Sequence, residues 1–253
     1  MVSQADAKHI LITGGSRGIG RACAIMAGQR GWSVGVNYAG NETAALETVR
    51  AVQQAGGHGI AIQGDVAREA DVIAMFEASE KAFGKLDALI NNAGIVGRKQ
   101  PFVDYSLERL QRMFEVNVLG AYLCAREAAR RMGKSRGGKG GSIVNMSSIA
   151  ARLGAAGEYV DYAGSKGAVD TMTLGLAREL AADGIRVNAI RPGLIDTDIH
   201  ASGGQPDRAA RLGATTPMGR AGTADEVAEA AIWLIKNESD YLTASLIDVA
   251  GGR

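Results

Sequence analysis

Short apolar runs alternate with longer amphipathic stretches from one end of the chain to the other. The apolar runs have the length of buried strands and cover residues 10–12, 34–36, 60–62, 88–90, 143–144, 187–190 and 246–249. The stretches with helical spacing cover residues 21–30, 42–54, 70–83, 107–132, 159–182 and 224–235. This alternation predicts an α/β fold with a doubly wound parallel sheet of about seven strands and helices on both faces.

Composition narrows the class of protein without identifying it. The 253 residues are 46% hydrophobic, and 28 basic against 27 acidic residues give a net charge of +1. This balance creates no field that would attract nucleic acid or an anionic membrane, and the 5% aromatic content argues against base stacking. The start, MVSQADAKH, has no apolar run typical of a signal peptide, and no run reaches the length of a membrane span. We expect one domain over residues 1–253, located in the cytoplasm, with no nucleic-acid or membrane partner.

The first predicted strand leads into a glycine-rich turn before the first helix. Residues 10–20 read ILITGGSRGIG. In a doubly wound sheet this turn binds a dinucleotide pyrophosphate, because glycines let the ligand approach the helix N-terminal amides. The spacing differs from the usual G-x-G-x-x-G, and an ordinary glycine turn also fits it. The candidate cofactor-binding residues of the turn are Gly14, Ser16, Arg17, Gly18, Ile19 and Gly20.

The same turn matches a second motif. Residues 14–18, GGSRG, have the G-x-S-x-G spacing of the nucleophile elbow of α/β-hydrolases, and Asp198 and His200 follow in the chain order of a triad. Against a hydrolase, the elbow would follow the first strand, which leaves no earlier strand to supply the oxyanion-hole loop. A hydrolase using Ser16 is therefore the weaker alternative.

The second predicted strand distinguishes between the nicotinamide cofactors. An NAD site usually has an acidic residue at the end of this strand to bind the ribose 2′-hydroxyl. Residues 36–41 read VNYAGN, so Asn37 and Tyr38 stand in this region and the first carboxylate is that of Glu42. Arg17 can pair with a 2′-phosphate. The sequence favours NADP, with NAD as the alternative.

A tyrosine and a lysine four residues apart stand in the predicted helix 159–182. Tyr162 and Lys166 share one face of that helix. A phenol has a pKa of about 10, too high for a base at neutral pH. An ammonium about 4–6 Å away is worth about 3–4 kcal/mol at an effective dielectric near 20, equal to about two to three pKa units. We therefore expect Lys166 to bring the pKa of Tyr162 into the range of general acid–base catalysis.

Polar residues follow two predicted strands. Residues 145–148 read NMSS, and residues 91–94 read NNAG. Because the carboxyl ends of parallel strands face the ligand crevice, Ser148 can hold a substrate oxygen near Tyr162. Asn117 lies between apolar neighbours in the predicted helix 107–132, where an amide without partners is costly. A structural role remains open for Asn91 and for Asn117.

Together, these motifs resemble the short-chain dehydrogenase/reductase family over nearly the whole chain. They occur in family order as Thr13-Gly14-x-x-x-Gly18-x-Gly20, Asn91-Asn92-Ala93-Gly94, Asn117, Ser148, Tyr162-x-x-x-Lys166 and Arg191-Pro192-Gly193. The resemblance implies a Rossmann fold and hydride transfer between a nicotinamide and a carbonyl or alcohol carbon. It implies that Tyr162 is the acid/base and that Ser148 polarises the substrate carbonyl. It further implies that Lys166 binds the nicotinamide ribose and that Asn117 anchors a water-mediated proton relay.

The resemblance also implies further cofactor contacts and an assembly. Asp65 contacts adenine, Asn91 the adenosine ribose region and Thr197 the nicotinamide carboxamide. The other implied cofactor contacts are Val66, Ala93, Gly94, Pro192, Gly193 and Ile195, in addition to Asn37, Tyr38, Tyr162 and Lys166. Family members are commonly homotetramers that need no metal. This chain is similar to the branch of sugar dehydrogenases and 3-oxoacyl-carrier-protein reductases, and its partner would be a small carbonyl or alcohol substrate.

Two positions depart from the family pattern. Ser148 stands 14 residues before Tyr162, where many members have one residue fewer. We expect an extra residue within 153–158, and Ser147 is the alternative substrate-binding serine. Ala244 stands where glycine is frequent, which we expect to affect packing rather than chemistry.

Specificity is expected to lie in one variable segment. Residues 194–222 are predicted to form a substrate lid whose glycines permit motion, and fold alone does not fix the substrate. A non-catalytic dinucleotide-sensing protein on the same fold is the other alternative. It predicts the loss of Tyr162 or Lys166, and both are present.

Overall fold

A single parallel sheet organises the computed structural model, which describes residues 8–253. Its strands are β1 His9–Ile12, β2 Ser33–Tyr38, β3 His58–Gln63, β4 Ala88–Asn91, β5 Gly141–Met146, β6 Ile185–Pro192 and β7 Leu246–Val249. They are ordered β3-β2-β1-β4-β5-β6-β7, and each neighbouring pair is parallel. The doubly wound α/β prediction is confirmed. Because the order reverses between β1 and β4, a ligand crevice opens at their carboxyl ends. The prediction that no signal peptide is present concerns mainly residues 1–7, which lie outside the described range.

Ten α-helices connect the strands of the described range. They are α1 Gly18–Gly28, α2 Glu42–Gln54, α3 Glu69–Phe83, α4 Leu107–Phe114, α5 Gly120–Met132, α6 Ala150–Leu153, α7 Val160–Leu180, α8 Ile199–Ser202, α9 Arg208–Gly213 and α10 Ala224–Ile235. The helical spacing located every long helix. The short helices α6, α8 and α9 were not predicted, because they bury too few residues to produce a periodic pattern.

Alternate residues of each strand supply two cores. Ile10 and Ile12 of β1 pack with α1, α2 and α10, whereas Leu11 between them packs with α3, α5 and α7. Successive strand side chains point to opposite faces, so both faces of the sheet are buried. This explains why the strands are near-continuous apolar runs in the sequence.

Local capping explains the helix boundaries that matched the prediction. The Asn41 side chain accepts a hydrogen bond from the amide of Ala44 at the start of α2. Thr223 and Glu226 form a reciprocal capping box at the start of α10. These side chains satisfy amides that the first helical turn leaves free.

The predicted helix 107–132 is interrupted. A π-helical turn, Glu115–Leu119, separates α4 from α5. Asn117 lies in this turn and is 1% exposed. Its side-chain oxygen accepts from the amide of Ile95 at 2.8 Å, and its side-chain nitrogen donates to the Ile95 carbonyl at 2.9 Å. These bonds give the buried amide its partners, and π turns are frequent at functional sites.

None of the helices within residues 8–253 is long and apolar enough to cross a membrane.

Candidate active site

The glycine turn between β1 and α1 forms one wall of a cleft at the carboxyl edge of the sheet. Gly14 and Gly18 have φ angles of +61° and +52°, a region that side chains disfavour. A Cβ atom on Gly20 would lie 2.4 Å from the Gly14 carbonyl oxygen, so only glycine lets α1 begin so close to the turn. No side chain caps α1. Its first amides are therefore available to an anion such as a pyrophosphate.

This cleft, termed the nucleotide cleft, has a volume of about 380 Å³. It collects most of the residues that the sequence assigned to the cofactor. They are Gly14, Ser16, Arg17, Gly18, Ile19, Asn37, Tyr38, Asp65, Val66, Ala93, Gly94 and Thr197. Arg17 is exposed at its rim, and β2 ends without a carboxylate.

Thr13 and Asn92, which the sequence did not assign to the cofactor, hold the floor of the nucleotide cleft together with Asn37. The Thr13 hydroxyl accepts from the amides of Asn92 and Ala93 at 2.9 and 3.0 Å. The Asn92 side chain donates to the carbonyls of Thr13 and Gly14. The Asn37 side-chain oxygen accepts from the Gly14 amide at 3.1 Å. The ends of β1, β2 and β4 are thus tied together, and the tie could be suspected only from Thr13 and Asn92 lying within the motifs.

Asn91 and Gly20 are absent from the cleft lining. Asn91 is 6% exposed and donates to the Ala121 carbonyl and the Asn145 side-chain oxygen at 2.9 and 3.1 Å. Its side chain therefore has a structural role that the sequence left open. Gly20 serves the close approach of α1 to the turn.

Two carboxylates follow the second and third strands: Glu42 begins α2, and Asp65 lines the nucleotide cleft. Asp65 accepts from the side chain of Arg112 at 2.9 Å. Burial acts to raise the pKa of Asp65, but the Ala67 amide and Arg112 together hold it below its ordinary value. At the rim, burial and the nearby Glu42 carboxylate raise the pKa of the Tyr38 phenol.

A second cleft, termed the catalytic cleft, adjoins the first and has a volume of about 470 Å³. Its lining includes Ser148, Tyr162, Lys166, Pro192, Gly193, Ile195 and Thr197. The two clefts share Ile19, Asn92, Gly94, Thr197 and Ile199. They therefore form one continuous trough along the carboxyl edge, of a shape that suits a dinucleotide with its substrate at one end.

Lys166 and Tyr162 share one face of α7, as their spacing predicted. The Lys166 ammonium lies 5.6 Å from the centre of the Tyr162 ring and donates to the Met146 carbonyl at 2.7 Å. A Cβ atom placed on Gly94 would lie 3.4 Å from both the Lys166 nitrogen and the Asn117 side-chain oxygen. Lys166 and Asn117 thus converge on the backbone of Gly94.

Burial dominates the titration of this pair. It raises the pKa of the Tyr162 phenol above its ordinary value, and interaction with the Ser148 hydroxyl acts in the opposite direction. Burial also lowers the pKa of Lys166 to about 8. The expected lowering of the Tyr162 pKa by Lys166 is therefore absent here. The expectation counted the attraction between the charges but not the loss of their hydration.

The two candidate serines have different environments. The Ser147 hydroxyl donates to the Lys166 carbonyl at 3.2 Å and is buried. The Ser148 hydroxyl faces Tyr162. Between Ser148 and α7, the turn 154–158 includes Gly154, Ala155 and Gly157 with φ angles of +74°, +47° and +70°. Such a tight turn can absorb an extra residue without displacing Ser148.

A buried ion pair fixes the start of α7. Arg109 of α4 donates two hydrogen bonds to Asp161, at 2.7 and 3.0 Å, and the Asp161 side chain is 0% exposed. Asp161 also accepts from the Tyr162 amide at 2.9 Å. The bidentate pair therefore orients the backbone from which the Tyr162 side chain projects.

The segment 194–222 covers the catalytic cleft and contains α8 and α9. It contacts the residues just before α7 by two polar links. Arg208 pairs with Glu158 at 2.7 Å, and Gln205 donates to the Tyr159 hydroxyl. The middle of the segment is thus docked beside the start of α7, and its action as a substrate lid stays a prediction.

Away from Ser148, Tyr162 and Lys166, the wall of the catalytic cleft is largely apolar. Its apolar members are Val96, Ile149, Leu153, Ala155, Ala156, Leu194 and Ile199. Several polar members are already engaged. Glu158 pairs with Arg208 and Lys99, and His200 donates from Nε2 to the Ile195 carbonyl at 2.8 Å.

The lining of the two clefts tests the hydrolase alternative, and the described residues can also be searched for a metal site. Ser16 lines only the nucleotide cleft and His200 only the catalytic cleft, so the two are not assembled as a triad. Within residues 8–253, no group of three or more His, Cys, Asp or Glu side chains could hold a metal ion.

Comparison with known proteins agrees with this geometry. Residues 14–253 match a family model described as enoyl-(acyl carrier protein) reductase. The chain is 51% identical to the Escherichia coli (strain K12) protein named uncharacterized oxidoreductase YgfF, over 96% of this chain and 98% of that one. It is 35% identical to glucose 1-dehydrogenase 2 of Bacillus subtilis (strain 168), over 100% and 96% of the two chains.

A solved structure of another protein has the same fold. The crystal structure of 3-ketoacyl-(acyl-carrier-protein) reductase from Brucella melitensis, complexed with NADH, superposes with a TM-score of 0.90 at 31% identity, covering 99% of each chain. The protein is therefore an oxidoreductase on a Rossmann fold that acts on alcohols or carbonyls. It belongs to the short-chain dehydrogenase/reductase family, near the sugar dehydrogenases and the 3-oxoacyl-carrier-protein reductases.

Proposed function

We propose that this protein is an NADP(H)-dependent oxidoreductase that transfers a hydride between the nicotinamide and a carbonyl or alcohol carbon, with Tyr162 as general acid/base. The observation that carries the proposal is the convergence of Tyr162, Lys166 and Ser148 at the end of a trough with a glycine-rich anion site. When bound, the nicotinamide supplies or accepts the hydride. The chain's own residues handle the proton and the substrate oxygen.

The proposed roles follow from position. The Tyr162 hydroxyl donates its proton to the substrate oxygen in reduction and removes it in oxidation. The Ser148 hydroxyl holds and polarises that oxygen. Lys166 binds the nicotinamide ribose and stabilises the phenolate with its charge, and Asn117 anchors a water-mediated proton relay to Lys166. In the oxidative direction a cationic nicotinamide adds a second positive charge near the phenol, which opposes the effect of burial on the Tyr162 pKa.

The remaining cofactor contacts fit the two clefts. Asp65 and Val66 are proposed for adenine and Thr197 for the carboxamide, with Pro192, Gly193 and Ile195 beside the nicotinamide. Asn91 is proposed to act on the adenosine region through the backbone, because its side chain is bound elsewhere.

NADP is the proposed cofactor. Arg17 is exposed at the rim of the nucleotide cleft and β2 ends without a carboxylate. A guanidinium there pairs with a 2′-phosphate, which NAD lacks. The alternative is NAD, supported by the bound NADH of the Brucella melitensis relative.

The proposed substrate has an apolar carbon frame. Every sugar hydroxyl that enters the catalytic cleft loses water and needs a new partner, at about 1–3 kcal/mol for each group left unpaired. The apolar wall and the engaged polar side chains supply few such partners. Cyclic or aryl ketones and their alcohols suit this wall better than aldoses.

The proposed assembly is a homotetramer in the cytoplasm. It is supported by large apolar side chains exposed along α4, the π turn and α5, where the family resemblance predicts a helical interface. They are Leu107, Phe114, Leu119 and Tyr122. The location rests on the sequence alone.

Replacement of Tyr162 tests the proposed chemistry. Consumption of NADPH and NADH would be followed with apolar ketones, aldehydes and aldoses. We expect turnover of apolar ketones, and a loss of about 10²–10⁴-fold in Tyr162→Phe because the proton donor is removed. Tyr241→Phe is the matched control, because Tyr241 is fully exposed and lines neither cleft, and it should retain the wild-type rate. Equal rates in wild type and Tyr162→Phe would show that the mechanism is wrong.

A further inference from the structure

An acidic side chain lies one helical turn beyond Lys166 on the same face of α7. Asp170 is 7% exposed and Lys166 is 4% exposed. Residues four apart on a helix have neighbouring side chains. A buried carboxylate is costly unless it is paired, and one that stands beside a buried ammonium acts on that ammonium's charge. No motif that identified the active site includes Asp170.

Asp170 belongs to a chain of ion pairs that ends at the surface. Arg191 of β6 donates from Nε to the Oδ2 atom of Asp170 at 3.0 Å, and its Nη2 atom lies 2.9 Å from the same oxygen. Arg191 Nη1 lies 3.5 Å from Asp248 of β7. Arg152 of α6 contacts the other oxygen of Asp248 at 2.6 Å. The chain of ion pairs therefore joins α6, which begins two residues after Ser148, and α7, which carries Lys166, to the last two strands.

One oxygen of Asp170 takes no part in this chain. Its Oδ1 atom is inaccessible to solvent and has no hydrogen-bond partner among the described residues. The hydrogen bond and the ion-pair contact from Arg191 both go to Oδ2. A carboxylate kept only to hold Arg191 would be expected to satisfy both oxygens. The unmatched oxygen leaves negative potential inside α7, close to Lys166.

The other ionisable groups around Lys166 are already neutralised or lie farther along the network. Asp161 is occupied by Arg109, and Asp248 is shared between Arg152 and Arg191. β5 and the buried side of the π turn contribute uncharged side chains: Asn145, Ser147 and Asn117. Asp170 raises the pKa of Lys166, against the lowering by burial.

We propose that Asp170 is a positioning residue that keeps the Lys166 ammonium charged, and that Arg191 limits how much of the Asp170 charge reaches it. Its catalytic consequence rests on the proposed function, in which a charged Lys166 stabilises the Tyr162 phenolate. Asp170 itself touches neither substrate nor cofactor.

Direct titration of Lys166 tests the proposal without a substrate. Full-length protein with ¹³Cε-labelled lysine would be titrated by NMR, and the Lys166 signal would be assigned by its loss in Lys166→Arg. Asp170→Asn should lower the midpoint by about one pH unit, and Arg191→Gln should raise it. Asp248→Asn loosens the same network but keeps the Asp170 charge, so its midpoint should stay close to that of the wild type. Asp170→Glu should restore the wild-type midpoint.

The outcomes separate this proposal from a structural role. If Asp170→Asn leaves the Lys166 midpoint unchanged, or shifts it no more than Asp248→Asn, the proposal is overturned. Arg191→Gln is expected to act in the opposite direction, so it decides the matter if Asp170→Asn does not fold.

Kinetics then test whether the charge state of Lys166 affects catalysis. The alkaline limb of kcat/KM for ketone reduction should move to lower pH in Asp170→Asn by the same amount as the Lys166 midpoint. If the Lys166 midpoint moves but the alkaline limb of kcat/KM does not, the catalytic part of the proposal is overturned. Should wild type reduce no carbonyl while the midpoint still moves, the proposed function fails but the control of Lys166 by Asp170 stands.

Discussion

Buried polar groups differ in their hydrogen bonding between the two edges of the sheet. At the amino edge, the ring nitrogens of His9 lie 2.7 Å from the Ser79 hydroxyl and 3.0 Å from the Gly84 carbonyl oxygen, so both are hydrogen-bonded. At the carboxyl edge, Lys166 is buried with its pKa lowered to about 8, and one oxygen of Asp170 has no partner. Groups with complete hydrogen bonding stabilise the fold, whereas incompletely matched ones are available to act on ligands or on each other.

This contrast separates stability from activity. Substitutions at the amino edge should change the free energy of unfolding and leave catalysis unaltered. Substitutions at exposed positions of the carboxyl edge should change catalysis and leave the free energy of unfolding unaltered.

Among exposed positions, the largest effect is expected at the rim of the nucleotide cleft. Arg17→Ala should lower kcat/KM for NADPH by roughly 10–100-fold, because a charge-assisted pair with the 2′-phosphate is lost, and should alter kcat/KM for NADH little. Unfolding in urea should not change, since Arg17 is exposed. Arg21→Ala, one turn later on α1 and also exposed, is the control. An unchanged cofactor preference would remove the role assigned to Arg17.

The next effect is a pH dependence of stability at the amino edge. Burial lowers the pKa of His9 below 6.5, so the unfolded chain binds the proton more readily than the folded one. As the pH falls from 6.5 towards the folded pKa, up to about 1.4 kcal/mol of unfolding free energy is lost per pH unit. His9→Gln should reduce the stability difference between about pH 7.5 and about pH 5.5, measured by urea unfolding.

His58→Gln provides the comparison for that experiment, because His58 is exposed at the start of β3. It should keep the full pH dependence. If both variants behave as the wild type does, His9 is not the group that titrates.

The smallest effect is expected at Ala244, which has a φ angle of +61°. The left-handed region costs an L-residue about 1–2 kcal/mol, and glycine avoids this at an entropic cost of about 0.5–1 kcal/mol. Ala244→Gly should therefore stabilise the fold by about 0.5–1 kcal/mol in urea unfolding, with unchanged kcat/KM. Ala244 packs against the core, as the sequence suggested, and the departure from the family pattern also affects backbone conformation.

Ala155 sharpens the comparison between the edges. It also has a positive φ, +47°, but it lines the catalytic cleft. Ala155→Gly should stabilise the fold and also change kcat/KM. A change in activity in Ala244→Gly as well would contradict the separation of the two edges.

Most of the fold could be predicted because its signals are local. The five inner strands are apolar runs buried on both faces, and α2 and α10 follow Asn41 and Thr223, whose side chains cap them. The interruption of helix 107–132 could not be predicted in this way. It depends on hydrogen bonds between Asn117 and Ile95, residues joined only by the tertiary fold.

The candidate site was predictable in its members but not in its energetics. The motifs placed Tyr162, Lys166 and Ser148 at one cleft. The pKa of Tyr162 is raised, whereas the sequence predicted a lowered one, because desolvation depends on all the surrounding atoms and not on one neighbour. Asp170 was missed for a similar reason, since its partner Arg191 comes from a distant strand.

The π turn has a consequence for chain-length variation. An α-helix advances about 100° per residue, so deleting one residue from Glu115–Leu119 would regularise the helix but rotate α4 by about that angle about the helix axis. Arg109 would then face away from Asp161, and the start of α7 would lose its anchor. The connection from α4 to α5 is therefore held in phase by its extra residue and should tolerate no length change.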